Sequence, residues 1–351
     1  MENLCAIVLA GGIGTRFWPK STESRPKQFL NLISDRTMLQ LTVDRINKKI
    51  PLEKIFVVVM EEHKDLVVEQ IKGIRNENII IQPSLKNTAP CILMATNYVK
   101  QIYNNTNIIV LPSDHLIIDE DKFLNNISKA NDYVEKNNGI ITLGIIPNRP
   151  ETGYGYIKIN DEIKYDNVIK IDCFKEKPTI DKALQYLKEN RYLWNAGIFL
   201  FNVNYILNLY KNNLKNTFDL INNLPYIEDI NYLKQLKKQY ELCDNISFDY
   251  AIMEKTNNNY VIPSNIGWDD IGTWGAIERY CDKDSKNNII DGNVECFNSE
   301  NNIIYGSNKK TILLGVNDLF FVDTDDVIVI ADKSQMNKIY EYKKNMKVSG
   351  C

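Results

Sequence analysis

Leu4-Cys5-Ala6-Ile7-Val8-Leu9-Ala10-Gly11-Gly12-Ile13-Gly14-Thr15-Arg16-Phe17-Trp18-Pro19 begins as an apolar run and breaks into a glycine-rich turn. A buried strand that empties directly into glycines ends at a loop built for close approach. Glycine tolerates φ > 0 and lets backbone draw near a ligand, and successive N–H groups in such a turn form an anion nest. Arg16, Lys20, Arg25 and Lys27 follow, with Glu23 the only acid between Arg16 and Lys27. Turn and cations together point to phosphate; a tight strand-to-helix turn with solvated cations is the plain alternative. Two familiar loops are excluded. No Lys-Ser or Lys-Thr follows a second glycine, as a P-loop requires. Phe17 ends the match of Gly12-Ile13-Gly14 to a dinucleotide fingerprint, which needs a third glycine for helix–strand packing, so hydride transfer loses ground.

The pattern continues outward from this strand. Apolar runs at 55–60, 79–82, 107–111 and 140–144 alternate with helical spacing over 37–50, 64–71, 88–103 and 123–135. Ile55–Met60 is almost wholly apolar, as expected of a strand buried on both faces. Asn87 or Thr88 is the expected N-cap of the third helix. Strand–helix alternation predicts an open α/β sheet, mixed but mainly parallel and flanked by helices, Rossmann-like in plan. Beyond Pro150 short strands (154–159, 168–175, 197–201, 260–263) mix with helices (179–189, 203–210, 248–254, 273–281). After about 287 four short apolar runs follow (302–305, 311–316, 319–322, 327–331), then an amphipathic stretch over 334–344. The expected division is residues 1–284 as the main domain and 285–351 as a β-rich module.

Composition narrows the chemistry. The 351 residues are 44% hydrophobic and 25% charged, ordinary for a globular chain, with net charge −3. A duplex nucleic-acid binder is usually basic, so no nucleic-acid partner is expected. No apolar run approaches the ~20 residues of a membrane-spanning helix, and the amino terminus lacks a basic signal-peptide n-region; the expectation is a cytoplasmic protein without membrane attachment. Seven widely spaced cysteines include no CxxC pair, which argues for reduced thiols. Only two histidines, His63 and His115, are present. Carboxylates, cations and backbone amides must therefore carry the chemistry.

The N-terminal stretch, continued by Pro26-Lys27-Gln28-Phe29-Leu30, resembles the sugar-1-phosphate nucleotidyltransferases, most closely the mannose-1-phosphate guanylyltransferases (GDP-mannose pyrophosphorylases). Further segments match in order along nearly the whole chain: Gln82-Pro83 with Lys86-Asn87-Thr88-Ala89-Pro90, Leu111-Pro112-Ser113-Asp114-His115, Thr152-Gly153-Tyr154-Gly155-Tyr156-Ile157, Phe174-Lys175-Glu176-Lys177-Pro178, Trp194-Asn195-Ala196-Gly197-Ile198-Phe199, Phe248-Asp249-Tyr250-Ala251, and Gly267-Trp268-Asp269-Asp270-Ile271-Gly272-Thr273-Trp274.

The resemblance implies nucleotidyl transfer from GTP to mannose 1-phosphate, giving GDP-mannose and pyrophosphate, and hence a role in GDP-mannose biosynthesis. It implies nucleotide contacts from Leu9, Ala10, Gly11, Gly12, Gly14, Thr15, Gln82, Asn87 and Thr88, and catalytic cations at Arg16 and Lys27. It implies sugar-phosphate contacts from Gly155, Glu176, Lys177 and Asn195, residue types suited to hydroxyls and phosphate. Asp114 ends a strand, where open α/β sheets take ligands, and with Asp270 it matches the carboxylates that hold Mg²⁺; each could otherwise be a turn or cap residue. The family often has Arg at the Lys86 position and Glu at the Gln82 position, beside the presumed base-recognition loop. Transfer from UTP or dTTP to another hexose 1-phosphate stays open, as does a non-catalytic sugar-nucleotide sensor. His115, the four tryptophans and Cys91 are expected to be structural. The β-rich tail resembles a short left-handed β-helix, often a dimer contact, so a homodimer is expected.

Overall fold

The computed structural model describes residues 3–12, 14–306 and 309–348. Packing divides the chain into two compact units: Met1–Gly11 with Thr42–Asp269, and Gly12–Leu41 with Asp270–Cys351. The expected cut at 284/285 follows chain position, whereas these units follow packing.

The first unit carries nine strands: β1 (Leu4–Leu9), β2 (Ile55–Met60), β3 (Ile79–Gln82), β4 (Asn107–Pro112), β5 (Ile140–Ile145), β6 (Tyr156–Tyr165), β7 (Val168–Lys175), β8 (Tyr192–Asn202) and β9 (Asn259–Ser264). Their order is β3-β2-β1-β4-β8-β5-β9-β7-β6, with β6 also pairing β8. The expected open, mainly parallel sheet is therefore corrected on two points. Only β3-β2-β1-β4-β8 is open; β8-β5-β9-β7-β6 returns to β8 and closes a five-stranded barrel. Parallel pairing is confined to β1–β2, β1–β4, β2–β3 and β5–β9, and every other pair is antiparallel.

The cause lies in β8. Residues Tyr192–Trp194 pair with β6, while Phe199–Asn202 pair with β4. Gly197 has φ 66°, and the β5 register shifts between Thr142 and Gly144. A bulged strand bends and twists more strongly, which lets one strand serve both the open half and the ring.

Local chemistry starts and stops these elements. The LCAIVL run of β1 is buried almost end to end because it pairs on both sides, with β2 and β4. Asn87 caps Thr88–Ile102, its Oδ1 accepting from the Thr88 N–H at 3.0 Å. Asp119 caps Glu120–Lys136 by accepting from the Lys122 N–H at 3.0 Å. Two helices escape the sequence reading, Lys215–Asn222 and Tyr232–Glu241. The second had a usable signal: Tyr232, Leu236 and Tyr240, four apart, are its buried residues. All three join a core that includes Ile7, Val58, Val110 and Phe248.

The second unit contains β10 (Ile289–Asp291), β11 (Val294–Phe297), β12 (Ile303–Tyr305), β13 (Thr311–Leu314), β14 (Leu319–Asp323) and β15 (Ile328–Asp332). β10, β12 and β14 stack in parallel, as do β11 and β13, while β15 closes antiparallel on β14. The chain thus coils, rung on rung. Buried asparagines tie the rungs: Asn302 N–H and Nδ2 donate to Asn288 Oδ1 at 3.0 and 2.9 Å, and Asn302 Oδ1 accepts from the Leu319 N–H at 2.9 Å. β10 and β11 were not anticipated, because three or four residues leave too little pattern to read. The expected closing helix begins as a tight turn over Lys333–Lys338 and becomes α-helical over Ile339–Val348.

The glycine-rich segment packs against this coil. Trp274 contacts Phe17, Tyr305 and Phe320 at ring-centroid distances of 5.2, 5.3 and 5.0 Å. All four rings are at most 2% exposed. Among the described residues six cysteines are free, with Cys351 outside them, and no helix is long and apolar enough to cross a membrane.

Candidate active-site residues in the two units

In the first unit, Leu9 and Ala10 bring β1 to its end, and the Ala10 N–H still donates to Val58 O at 2.8 Å. A side chain on Gly11 would place its Cβ 2.5 Å from Gln82 Oε1, so any larger residue there would have to displace the Gln82 amide. Gln82 is 4% exposed. Its Nε2 donates to Ser84 O at 2.7 Å and its Oε1 accepts from Cys91 Sγ at 3.3 Å. Burial pushes the Cys91 thiol up to about 12, which leaves it a neutral donor. Thr88 Oγ1 accepts from the Phe248 N–H at 2.8 Å, so Asn87 and Thr88 both hold backbone here.

In the second unit, Gly14 has φ 52°, and a Cβ there would lie 2.6 Å from Lys27 N. The close contact seats Lys27, which is 5% exposed. The Lys27 ammonium donates to Asp270 O at 2.6 Å. Gln28 Nε2 donates to Gly12 O at 2.8 Å, and Thr15 Oγ1 donates to Tyr340 Oη at 2.9 Å. Arg16 is exposed. Lys20 is engaged elsewhere, 2.8 Å from Asp291 Oδ2 and 4.1 Å from the Tyr305 ring centroid. Arg16, Lys27 and Asp270 are therefore parts of one packed unit. Thr273 precedes the short helix Trp274–Ile277, so Asp270 does not cap it. A Cβ on Gly272 would come within 3.0 Å of Asp270 Oδ2, so the glycine leaves that carboxylate its room.

Asp114 follows β4 in the first unit, its side chain 33% exposed and 4.0 Å from His115 Nε2. His115 Nδ1 accepts from Trp268 Nε1 at 3.1 Å, which puts the proton of a neutral imidazole on Nε2, toward Asp114. Trp268 packs edge-on against Tyr154 at 5.2 Å, and Tyr154 against Trp194 at 5.3 Å. Arg149, which the sequence reading did not single out, lies 4.9 Å from the Trp194 ring centroid. Its Nη2 is 3.7 Å from Asp269, which is 1% exposed. Asp269 also bridges backbone-to-backbone with Leu116. The adjacent carboxylates thus differ in kind: Asp269 is buried against an arginine, and Asp270 is partly exposed.

The expected sugar-phosphate residues gather at the barrel. Asn195 N–H donates to Gly155 O at 2.8 Å. A Cβ on Gly155 would lie 2.5 Å from Glu176 Oε2. Glu176 Oε1 is 2.9 Å from Lys177 Nζ, and that hydrogen bond raises the lysine's pKa. The cluster includes two residues that sequence reasoning did not assign, Thr142 and Asp249. Asn195 Nδ2 donates to Asp249 Oδ1 at 2.9 Å; its Oδ1 accepts from the Gly197 N–H at 3.2 Å and lies 3.2 Å from the Thr142 hydroxyl, which shares its one proton with Ile198 O at 2.8 Å. Burial, then the nearby Glu176 charge, pushes the Asp249 carboxyl up to about 6. Asp249 sits in a matched segment, but nothing in its neighbours along the chain points to Asn195.

A family model described as "Nucleotidyl transferase" matches residues 5–287. The chain is 34% identical over 353 residues to a mannose-1-phosphate guanylyltransferase of Salmonella muenchen, spanning 98% of this chain and 74% of that protein. It is also 34% identical over 359 residues to a mannose-1-phosphate guanylyltransferase of Escherichia coli, spanning 99% and 76%. A solved structure named as mannose-1-phosphate geranyltransferase from Thermus thermophilus aligns with TM-score 0.85 at 28% identity, over 98% of this chain and 99% of that one.

Proposed function

Because the chain belongs to the nucleotidyl transferase family, we propose that it transfers a guanylyl group from GTP to mannose 1-phosphate, releasing pyrophosphate and forming GDP-mannose. The observation that carries the substrates is its likeness, over 98% of its length, to a protein named for that reaction. A sugar-phosphate oxygen attacks the α-phosphorus of GTP in line, one P–O bond forms, and the bond to the β-phosphate breaks. The nucleophile is already an anion, so no side chain need accept a proton. Positioning and charge compensation suffice.

The chain's residues divide this work. Lys27, oriented by Gly14 and the Asp270 carbonyl, faces the α- and sugar phosphates. Exposed Arg16 meets the nucleotide phosphates and the departing pyrophosphate. Leu9, Ala10, Gly11, Gly12, Gly14 and Thr15 supply the backbone of the phosphate loop, and Gln82, Asn87 and Thr88 border the base. Gly155, Glu176, Lys177 and Asn195 receive the sugar phosphate.

Asp114 and Asp270 are assigned to Mg²⁺. The donor types fit that ion, because Mg²⁺ takes one or two carboxylates and completes its shell from phosphates and water. Bound there, it would supply positive charge to the phosphoryl oxygens.

We extend the reading to 1–284 as the catalytic stretch, and to 285–351 as a left-handed coil that pairs two copies of the chain. Phe297, Ile312 and Leu314 support the pairing: they are 51%, 58% and 71% exposed on neighbouring strands.

The test is a panel of five nucleoside triphosphates against mannose, glucose and fucose 1-phosphates, with and without Mg²⁺, read as pyrophosphate release. GTP with mannose 1-phosphate should be turned over fastest and only with the metal. Preference for UTP or dTTP would move the assignment to another nucleotidyltransferase, and no turnover with any pair would favour a sensor.

A further inference from the structure

We propose that Asp249 is a positioning residue that fixes Asn195 as a hydrogen-bond donor to the sugar, so that the site meets its ligand with one amide donor beside one carboxylate acceptor, Glu176. The inference rests on the reading of Asn195 as a sugar contact.

A primary amide has two N–H donors and two acceptor lone pairs. At Asn195 the Gly197 N–H engages Oδ1, the Thr142 hydroxyl shares its one proton between that oxygen and Ile198 O, and one amide N–H is given to Asp249. One N–H remains for a ligand. Were the amide flipped, Nδ2 would confront the Gly197 N–H and Oδ1 would confront the Asp249 carboxylate, donor on donor and acceptor on acceptor. The backbone removes the remaining freedom, because the Asn195 N–H is held by Gly155 O at 2.8 Å. Gly155 is also the residue whose missing side chain makes room for Glu176 Oε2. One short stretch of backbone thus sets both the donor and the acceptor. Two such groups suit a pair of neighbouring hydroxyls, one accepting and the other donating.

The groups facing Asp249 are the Glu176 carboxylate, the Lys177 ammonium and the Asn195 amide. Burial, and after it the Glu176 charge, holds its proton up to about pH 6. Its acceptor strength should therefore change within the range where the enzyme can be assayed.

The experiment measures KM for mannose 1-phosphate and for GTP separately, in the full chain. Asp249→Ala should raise the sugar-phosphate KM ~10–100-fold, as loss of a hydrogen bond to a charged group does, and leave the GTP KM within about twofold. Asp249→Asn keeps shape and an acceptor but lacks the charge; it should raise the same KM only ~3–10-fold. If Asp249→Ala does not fold, the Asn variant decides alone. Its KM ratio to wild type should approach one below about pH 6, where wild-type Asp249 is protonated. The ratio cancels the ionisation of the sugar phosphate itself.

Asn195→Ala separates the two layers of argument. If it raises the sugar-phosphate KM while both Asp249 variants leave it unchanged at every pH, the positioning role is overturned and the sugar reading stands. If Asn195→Ala itself has no effect, the sugar reading fails first. An Asp249→Ala enzyme whose two KM values rise together would also overturn the proposal, because only a general structural role acts on both substrates.

Discussion

Lys27 and Lys20 belong to the same cationic stretch and have been given different tasks. The Lys27 ammonium is held on a backbone carbonyl in a buried setting, whereas Lys20 pairs with Asp291 and lies on Tyr305. Lys27→Met should lower kcat by ~10²–10³, the usual cost of one preorganised charge contact, with little loss of stability. Lys20→Met should change kcat less than about threefold and stability by about 0–1 kcal/mol, since a partly exposed ion pair contributes little. Comparable, negligible effects on pyrophosphate release would sink the distinction. Asp114→Asn should cost ~10²–10³ in rate and raise the Mg²⁺ needed for half-maximal activity. Turnover near wild type at saturating Mg²⁺ would remove Asp114 from the metal. Asp249 makes a separate prediction about stability. Its carboxyl has a pKa of about 6 in the fold against an ordinary 3.8, so between those values the folded state holds the proton more often than the unfolded chain. Its contribution to stability must therefore fall as pH rises from about 4 to about 6, by about 3 kcal/mol in all, and stay level above that. Asp249→Asn should abolish this fall, so denaturant midpoints of the two proteins should converge toward pH 4 and separate in favour of the variant by pH 7.

At the scale of elements, the glycine-rich turn is legible in sequence as a turn, and its geometry explains which glycine matters. Gly14 combines a left-handed backbone with a neighbour, Lys27 N, at 2.6 Å from where a Cβ would stand. Gly14→Ala should cost about 1–2 kcal/mol for the left-handed conformation alone. It should also cost ~10²-fold in rate, because shifting Lys27 by even ~1 Å would misplace the charge proposed to face the phosphates. The measurement is a melting curve beside kcat/KM; a variant normal in both would show that Gly14 does not seat Lys27. Gly12 has no atom within 4 Å of its notional Cβ, so Gly12→Ala should leave the melting curve unchanged and is the control for stability alone. Strand β8 is the other instructive element. Its apolar run was read over 197–201, about half its observed length of Tyr192–Asn202. The unread half includes Trp194 and Asn195, where β8 leaves β4 for the barrel, and alternation along one strand carries no sign of which neighbour it will pair with.

At the scale of the molecule, the carboxyl-terminal coil packs on the glycine-rich segment, whatever the outcome of the proposed pairing of copies. Tyr305 and Phe320 are buried on Trp274, which in turn packs on Phe17 beside the glycine-rich turn. Deleting residues 288–351 removes these partners, so the truncated chain should melt lower and lose activity even if pairing of copies were irrelevant to turnover. Assembly is better tested by a surface change. Ile312 and Leu314 are exposed on β13 while Leu313 between them is buried. Ile312→Lys with Leu314→Lys should leave the coil folded and shift a homodimer to monomer in sedimentation. A wild-type chain already monomeric at micromolar concentration would refute the pairing. The sequence by itself determined the first half-sheet, the glycine turn with its cations, the family, and the residue types at the candidate site. These depend on local pattern, and each strand of that half is bounded by its own turn residues. Tertiary structure alone decided that five strands close into a barrel, that residues 12–41 pack with the tail, that Asp269 is buried against Arg149, and that Asp249 grips Asn195. Each joins residues far apart along the chain, and such contacts depend on pairing, register and burial, which no single segment encodes.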